Sequence, residues 1–260
     1  MAVSSFQKII IAIFFVLTGT MVSYGQQNPQ ALFDRANQQL ESRRYKKAIS
    51  LYKDIIAQNT VSGALYLNLG ISYQRIDSLG KAKFYFLKAA QFDAIEDEAK
   101  QALEYVETQF SRQSAVLPKL PWDVATHWLQ NNVGSSTLLA LGIILLNIGI
   151  LIYIAHWFIG WHPRFLSIGG YVIISLSILL VAGGFYTQYV GDRYSTAVMV
   201  TEEAPVYEEP RIEASLVSQA FEGYTFTVDH YKSGPYPGWK YVRMSNGLYG
   251  WVPGSEIMVL

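Results

Sequence analysis

TLLALGIILLNIGILIYIAHWF, from Thr137 to Phe158, and LSIGGYVIISLSILLVAGGFY, from Leu166 to Tyr186, are the two stretches that decide the fold. Neither contains an Asp, Glu, Lys or Arg residue. Each is about 20 residues of nearly continuous apolar sequence, the length of one bilayer crossing. The sequence therefore predicts two transmembrane helices, 137–158 and 166–186. A pair of buried helices in a soluble core is the alternative, but the flanking segments are too small to cover both.

The segment between the two predicted helices, residues 159–165 (IGWHPRF), is short and contains Pro163. It therefore predicts a tight turn and an antiparallel hairpin. Tryptophans flank both ends of this hairpin, as in the aromatic belts at membrane interfaces: Trp157 and Trp161 at the turn, Trp122 and Trp128 at the open end.

The first 25 residues have the pattern of a secretory signal peptide. Lys8 precedes the apolar run 9–17, and small residues, Ser23 and Gly25, stand at the positions expected before a cleavage site. Cleavage after Gly25 and retention as an anchor both remain open. In either case the following segment is exported, and a hairpin then returns the chain to the same side. The sequence predicts a bacterial inner-membrane protein with a cytoplasmic turn and two periplasmic domains.

Residues 29–112 are polar and rich in helix-forming residues, and they repeat with a period of 34 residues. Small residues align with small ones, and large aromatic or aliphatic residues with aromatic ones: Leu32 with Tyr66, Ala36 with Gly70, Ala48 with Ala82, and Tyr52 with Phe86. This pattern resembles the tetratricopeptide (TPR) repeat. The resemblance implies an α-helical solenoid with repeats at 29–62 and 63–96, and the polar segment 97–112 predicts a capping helix.

TPR arrays bind extended peptides along the face formed by the first helix of each repeat. The resemblance implies that this face carries Phe33, Asn37, Leu40, Asn68, Ile71 and Arg75. The alternative is that these side chains cap helices, contact solvent or face a neighbouring domain. Because repeat arrays usually need at least three units for stability, two repeats and a cap also favour either self-association or packing against a partner's repeat.

After a predicted linker at 113–136 and the hairpin, the C-terminal segment 194–260 changes to short alternating stretches separated by Gly and Pro. It predicts strands at 197–200, 224–228, 239–244 and 249–252. Asn246-Gly247 between the last two is a strong hairpin signal, because both residues tolerate positive φ. Small strands with regular turns predict a compact all-β barrel.

This segment resembles the bacterial Src-homology-3-like (SH3b) domain through Glu222-Gly223, residues 238–242 (GWKYV), residues 250–252 (GWV) and Ile257. The resemblance implies a surface that binds peptides or cell-wall cross-bridges. The aromatic candidates for that surface are Tyr207, Tyr231, Tyr236, Trp239 and Tyr249. Core positions for Trp239 and Trp251 are the competing interpretation. The segment has a net charge of −4, which argues against binding an acidic polymer through charge alone.

The composition and motifs exclude several classes of function. Lys and Arg together number 20, as do Asp and Glu, so no net positive field attracts nucleic acid. The chain contains no Cys, which excludes disulfides, thiolate zinc sites and cysteine nucleophiles. It has no phosphate-loop, GxSxG or HExxH motif, and its four histidines are scattered. We therefore predict a non-enzymatic protein with no catalytic residues, no metal site and no cofactor.

Asn147 is a polar residue near the middle of the first predicted crossing. At that depth an amide usually hydrogen-bonds between helices, a contact of about 0.6–2 kcal/mol. Ser175 and Ser177 in the second crossing are its expected partners. Without Asp, Glu, Lys or Arg in either crossing, packing is favoured over transport.

The order of signal peptide, TPR repeats, hairpin and SH3b domain resembles the BatE family, the TPR-containing proteins of bacterial aerotolerance (Bat) operons. The resemblance extends over the whole architecture. It implies association with membrane-anchored von Willebrand factor A-type Bat proteins and, indirectly, with a MoxR-type AAA+ ATPase. It also implies a scaffold role in tolerance of oxidative or envelope stress. A peptidoglycan-binding anchor that acts through the SH3b domain is the alternative.

Overall fold

The computed structural model describes residues 28–112, 115–118, 121–158 and 164–260. The predicted signal peptide, 1–25, lies outside the described residues, as does most of the predicted turn, 159–163. The chain divides into two compact units, residues 1–61 and 62–260.

The first unit contains the helical pair α1 (Pro29–Glu41) and α2 (Tyr45–Ala57). Helix α1 begins with Pro29 at its first position, where no N–H is needed, and the Asn28 side chain accepts a hydrogen bond from the Gln30 amide at 3.0 Å. The pair buries the four positions that the 34-residue period picked out: Leu32, Ala36, Ala48 and Tyr52.

The second unit opens with another helical pair, α3 (Gly63–Gln74) and α4 (Leu79–Ala89). It buries the four corresponding positions: Tyr66, Gly70, Ala82 and Phe86. Gly70 allows a close approach between the two helices, because a Cβ atom there would lie 2.5 Å from the Phe86 ring. The period in the sequence therefore marks equivalent buried positions in two helical pairs.

The predicted capping helix, 97–112, is shorter than expected. Helix α5 spans Glu96–Glu107 after a 3₁₀ turn at Asp93–Ile95, and Val106 at its end is fully buried. Phe110 falls within the segment predicted to form the capping helix. It instead lies beyond the helix and packs against Gly223 of the C-terminal domain.

The predicted linker, 113–136, contains a helix that was not expected. Helix α6 spans Pro121–Asn132, and proline at the first position suits a helix start. The Gln130 side chain donates a hydrogen bond to the Thr187 carbonyl at 3.0 Å, which holds α6 against the end of the hairpin. Trp128 on this helix is exposed.

The two apolar stretches form helices α7 (Ser135–Phe158) and α8 (Arg164–Arg193), both long and apolar enough to cross a membrane. They pack antiparallel at very short range. A Cβ atom at Gly142 would lie 2.7 Å from a Val181 methyl, and one at Gly184 would lie 2.7 Å from Leu139. Helix α8 continues past the predicted end of the crossing at Tyr186 and runs into the first strand.

The expected pairing of Asn147 with Ser175 or Ser177 is wrong. Ser177 is fully buried and its hydroxyl donates to the Gly142 carbonyl at 2.8 Å. Asn147 is exposed, and its amide nitrogen donates to the Ile143 carbonyl of its own helix at 2.8 Å. The Gly142 carbonyl of α7 is therefore the partner of Ser177, in place of the asparagine.

The C-terminal domain contains seven strands: β1 Tyr194–Met199, β2 Glu203–Tyr207, β3 Leu216–Phe221, β4 Thr225–Asp229, β5 Trp239–Met244, β6 Tyr249–Pro253 and β7 Ile257–Val259. A one-turn helix, α9 His230–Ser233, follows β4. The strands form one antiparallel sheet in the order β3-β2-β6-β5-β4-β1-β7. The four predicted strands are confirmed, with bounds shifted by a few residues at most, while β2, β3 and β7 were not predicted.

The core of this domain consists of apolar side chains on one face of the sheet. Its largest members are Met199, Phe226, Met244 and Ile257, and Ala197, Val206, Val228, Val242 and Val252 complete its centre. The predicted turn at Asn246-Gly247 joins β5 to β6, and Gly247 has the positive φ of 87° that this turn requires.

Gly142→Ala tests the close packing of the hairpin. The added methyl has no room against Val181, so we expect the hairpin to lose about 1–3 kcal/mol of stability. Gly183→Ala is the matched control, since among the described residues no atom outside its own stretch of helix lies within 4 Å of a Cβ atom there. Both are compared with the unsubstituted chain by denaturation of the purified full-length protein in detergent, followed by tryptophan fluorescence. Equal stability of the two variants would contradict the packing described.

Candidate functional site

The outer face of the C-terminal sheet carries a row of aromatic side chains. Tyr241 on β5 packs against Trp251 on β6 with ring centroids 5.2 Å apart, and against Tyr249 at 6.1 Å. Tyr236 covers Trp251 at 4.9 Å. Tyr207 and Trp239 form a second pair on the same side of the sheet. We call the whole row the aromatic face, which comprises Tyr207, Tyr236, Trp239, Tyr241, Tyr249 and Trp251.

Strand pairing makes the aromatic face continuous. Tyr207 on β2 is the register partner of Trp251, and its ring lies 5.7 Å from that of Trp239. On β5 the aromatic face contains Trp239 and Tyr241, which are two residues apart. Val242 and Met244 lie on the opposite side of this strand and point into the core. One side of β5 thus carries aromatic rings, and the other side packs in the core.

Two cations border the aromatic face. The Lys232 ammonium lies 4.2 Å from the centroid of the Tyr241 ring, and the Arg243 guanidinium lies 5.8 Å from that of Tyr249. Tyr236 and Tyr249 are 45% and 51% exposed, so rings as well as charges are accessible. Such a surface suits ligands that stack on aromatic rings and carry acceptor or anionic groups.

The structure brings together four of the five aromatic residues that the sequence singled out: Tyr207, Tyr236, Trp239 and Tyr249. It adds two that were missed as part of this face, Tyr241 and Trp251. The position of Tyr241 could have been predicted from the sequence, because this residue lies two positions after Trp239 and therefore on the same side of the strand. Trp251 is only 8% exposed, yet its ring packs under Tyr236 and Tyr241 on the outer face.

Tyr231, the fifth candidate, lies elsewhere, where helix α8 meets the sheet. Its ring lies 5.9 Å from that of Tyr189 on α8. Arg193 ends the helix and donates to Asp229 Oδ2 through Nε at 3.1 Å and through a terminal nitrogen at 2.8 Å. We call this group the stem contact.

Both carboxylate oxygens of Asp229 accept structural hydrogen bonds at the stem contact. Its Oδ1 accepts hydrogen bonds from the Tyr231 and Lys232 amides and so caps α9. Partial burial acts to raise the pKa of Asp229, but the hydrogen bonds from Arg193, Lys232 and Tyr231 outweigh it and hold this pKa below its ordinary value.

His230 and Ser195 form a hydrogen bond of 2.9 Å between Nε2 and Oγ. His230 is the first residue of helix α9 and directly follows Asp229, the last residue of β4. Both carboxylate oxygens of Asp229 are engaged with Arg193 and the α9 amides. Asp229 therefore does not orient His230. The hydrogen bond between His230 and Ser195 connects α9, which follows β4, to β1.

The predicted peptide-binding residues lie on single faces of their helices within each unit. In the second unit, Asn68 and Ile71 are half-buried on α3, and Arg75 is exposed where that helix ends. In the first unit, Phe33, Asn37 and Leu40 are half-buried on α1. The Tyr52 hydroxyl donates to Asn37 Oδ1 at 2.6 Å, so that oxygen already supports the helical pair.

A junction that sequence reasoning missed joins the second helical pair to the C-terminal domain. Helix α4 has no cap from its own Ser78 side chain. Glu222, in the turn between β3 and β4, accepts a hydrogen bond from the Gly80 amide at 2.7 Å and fills that role. A carboxylate at a helix N-terminus also interacts favourably with the helix dipole.

Lys83 completes the polar part of this junction. Its ammonium donates to the Gly223 carbonyl at 2.9 Å and pairs with Glu107 of α5 at 3.2 Å. The Glu222-Gly223 pair, one of the motifs that carries the SH3b resemblance, therefore contacts the helices directly. The Glu222-Gly223 motif is the sequence signal that marks this contact, but the motif does not identify its partner, because Gly80 is 142 residues away in the chain.

Apolar and main-chain contacts extend the junction past α5. The Phe110 ring lies against Gly223, where no side chain fits, and the Arg112 guanidinium lies 4.2 Å from the centroid of the Phe221 ring. Beyond them the Leu117 amide donates to the Ser245 carbonyl at 2.9 Å. The junction thus contacts two separate turns of the sheet.

Glu222 makes the junction sensitive to pH. Burial raises the pKa of this carboxyl above its ordinary value of 4.5, and the nearby acids Asp77 and Glu202 add to the rise, against the lowering effect of the Gly80 hydrogen bond. The folded state therefore binds this proton more tightly than the unfolded chain does. The contribution of Glu222 to stability is full below pH 4.5 and falls as the pH rises through the raised pKa.

Glu222→Gln tests this linkage. Glutamine keeps an acceptor for the Gly80 amide and removes the titration, so we expect the fall in unfolding free energy between about pH 4.5 and neutrality to become smaller. Glu222→Ala removes the cap and should cost about 0.5–2 kcal/mol. Chemical denaturation of the full chain across this pH range measures both effects. Glu209→Gln, at an exposed carboxylate, is the control, and the same pH slope in wild type and Glu222→Gln would contradict the assignment.

No family model matches the chain. A stretch of 75 residues, 29% of the chain, is 33% identical to Sperm-associated antigen 1 from Rattus norvegicus. The chain spans only 8% of the length of that curated relative. This similarity is local and covers less than a third of the chain.

Proposed function

We propose that this protein is a non-enzymatic, membrane-anchored scaffold whose helical and β domains bind partners on the same side of the membrane. The observation that carries the proposal is the direct connection between the helical pair, the β domain and the hairpin within the second unit. The second helical pair is joined to the β domain through Glu222 and Lys83, and the β domain is joined to α8 without a linker. An anchor that presents two joined binding surfaces suits assembly of a complex.

The stem contact supports the anchoring role. Arg193, the last residue of α8, donates two hydrogen bonds to Asp229, which pairs with Tyr194 at the start of β1, so the end of the helix is bonded directly to the sheet. The hairpin itself is long and apolar enough for a bilayer. Following the topology expected from the N-terminal signal, both soluble parts lie in the periplasm of a bacterial inner membrane.

The partner-binding surface of the scaffold is the α3 face, formed by Asn68, Ile71 and Arg75. It combines an amide-bearing residue, an apolar side chain and an exposed cation on one side of a helix, the chemistry suited to an extended peptide segment with an acidic group. In line with the BatE resemblance, the partners are von Willebrand factor A-type membrane proteins of a Bat-type aerotolerance or envelope-stress complex. A MoxR-type ATPase would act on that complex indirectly.

Substitution of the α3 face tests the scaffold. Arg75→Glu should repel an acidic segment and Ile71→Trp should obstruct the apolar position, so each is expected to reduce partner recovery at least fivefold in co-purification from native membranes. Arg35→Glu, an exposed charge reversal on α1, is the control. Circular dichroism verifies that the helices remain folded.

A photo-crosslinking residue at position 71 then identifies the partner. Trapping one defined membrane protein, lost in Arg75→Glu, supports the proposal. Unchanged co-purification of both variants, or only scattered envelope proteins in the crosslinked material, would contradict it.

A second candidate function, peptidoglycan anchoring, is favoured by the exposed rings of the aromatic face. Tyr236→Ala and Tyr249→Ala should each lower co-sedimentation of the detergent-solubilised full chain with insoluble peptidoglycan. Tyr105→Ala is the matched control, because Tyr105 is an exposed tyrosine on α5, outside the aromatic face. If the wild-type protein remains in the supernatant, peptidoglycan is not its ligand.

A further inference from the structure

The outer surface of α7 carries the polar side chain of Asn147 near the middle of a long apolar helix. Its amide nitrogen donates to the Ile143 carbonyl of the same helix. Within the described part of the chain, its Oδ1 atom accepts no hydrogen bond, although the side chain is exposed. In hydrocarbon an unpaired amide oxygen is costly, so this position calls for a partner.

Helix geometry places that partner outside the hairpin. Gly142 and Gly149 are buried and face α8, with Cβ positions 2.7 Å from Val181 and 2.5 Å from Ile174. Because an α-helix turns about 100° per residue, Asn147 points about 140–160° away from this contact. Helix α8 of the same chain therefore cannot supply the missing donor.

Asn147 is the central position of a regular stripe along α7. Residues spaced alternately by three and four positions form this stripe, which is the spacing of a helix–helix seam. All of them are exposed: Thr137, Ala140, Ile144, Asn147, Leu151, Ile154 and Phe158. We call these seven residues the α7 seam.

We propose that the α7 seam packs against the α7 seam of a second copy of this chain, in a parallel dimer with the two Asn147 side chains hydrogen-bonded to each other. An asparagine amide carries both donors and an acceptor, so it is complementary to itself across a twofold axis. Two copies inserted with one topology hold Asn147 at the same depth. This inference rests on the membrane insertion stated under the proposed function.

Ser175 provides a test of the geometry. It is exposed on α8 and points about 160° away from Ser177, which faces α7. The hairpin thus has a second polar group on its opposite outer face. A contact from Asn147 to Ser175 of another copy would be head-to-tail and would produce a ring or an open array instead of a closed dimer.

Cysteine crosslinking measures the seam directly, because the chain has no cysteine of its own. Leu151→Cys lies on the seam, and Tyr153→Cys is the control, equally exposed but about 160° around the helix. With copper phenanthroline as oxidant in native membranes, we expect at least fivefold more disulfide-linked dimer from Leu151→Cys. Equal crosslinking at both positions, or crosslinking of Leu151→Cys mainly to a different protein, would overturn the proposal.

Energy transfer between labelled full-length chains in lipid vesicles measures the role of Asn147. Asn147→Leu should weaken the dimer by about three- to thirtyfold in dissociation constant. Asn147→Gln, which keeps the amide, should stay within about threefold of wild type, and Ser175→Ala should not change it. An unaffected Asn147→Leu dimer, or an equal loss in Ser175→Ala, refutes the paired seam.

Alkaline carbonate extraction separates this inference from the proposed function. Protein released into the soluble fraction would refute membrane insertion and the dimer together. Protein that remains in the membrane but stays monomeric in the energy-transfer assay would refute the dimer alone.

Discussion

The carboxylate of Glu222 at the start of helix α4 is the interaction on which the arrangement of the second unit depends. The helix lacks a cap from Ser78, and the carboxylate that replaces it comes from a different domain. Capping therefore serves both local helix stability and domain attachment. Lys83 strengthens the same domain attachment. Its ammonium donates to the carbonyl of Gly223, next to the capping residue, and also pairs with Glu107.

A second constraint is close contact between backbones in the hairpin. Gly142, Gly149 and Gly184 let α7 and α8 approach until side chains of one helix touch the backbone of the other. The Ser177 hydroxyl adds a hydrogen bond across this contact. The same contact fixes which side of α7 turns outward, and so determines that Asn147 is left for another molecule.

Much of the fold could be predicted from local pattern. The apolar stretches predicted α7 and α8, the 34-residue period identified eight of the residues that the two helical pairs bury, and Asn246-Gly247 located the β5–β6 turn. Strand β2 was missed because Glu203 and Pro205 are typical of loops, and α6 because its tryptophans were assigned to an interface. The junction could not be predicted, since Glu222 and Gly80 are joined only by the tertiary fold. The partner of Asn147 was misassigned because residue spacing was not converted into a direction around the helix.

Helix α8 has 30 residues and passes directly into β1. At 1.5 Å per residue it is about 45 Å long, whereas the hydrocarbon layer of a bilayer is about 30 Å thick. With the hairpin inserted as proposed, the excess of about 15 Å carries the helix through the polar headgroup region, so the sheet begins at the membrane surface. Local membrane thickness and the tilt of this helix then set how far the aromatic face reaches from the membrane surface, so a thicker or thinner bilayer moves this face relative to the membrane without any change in its structure.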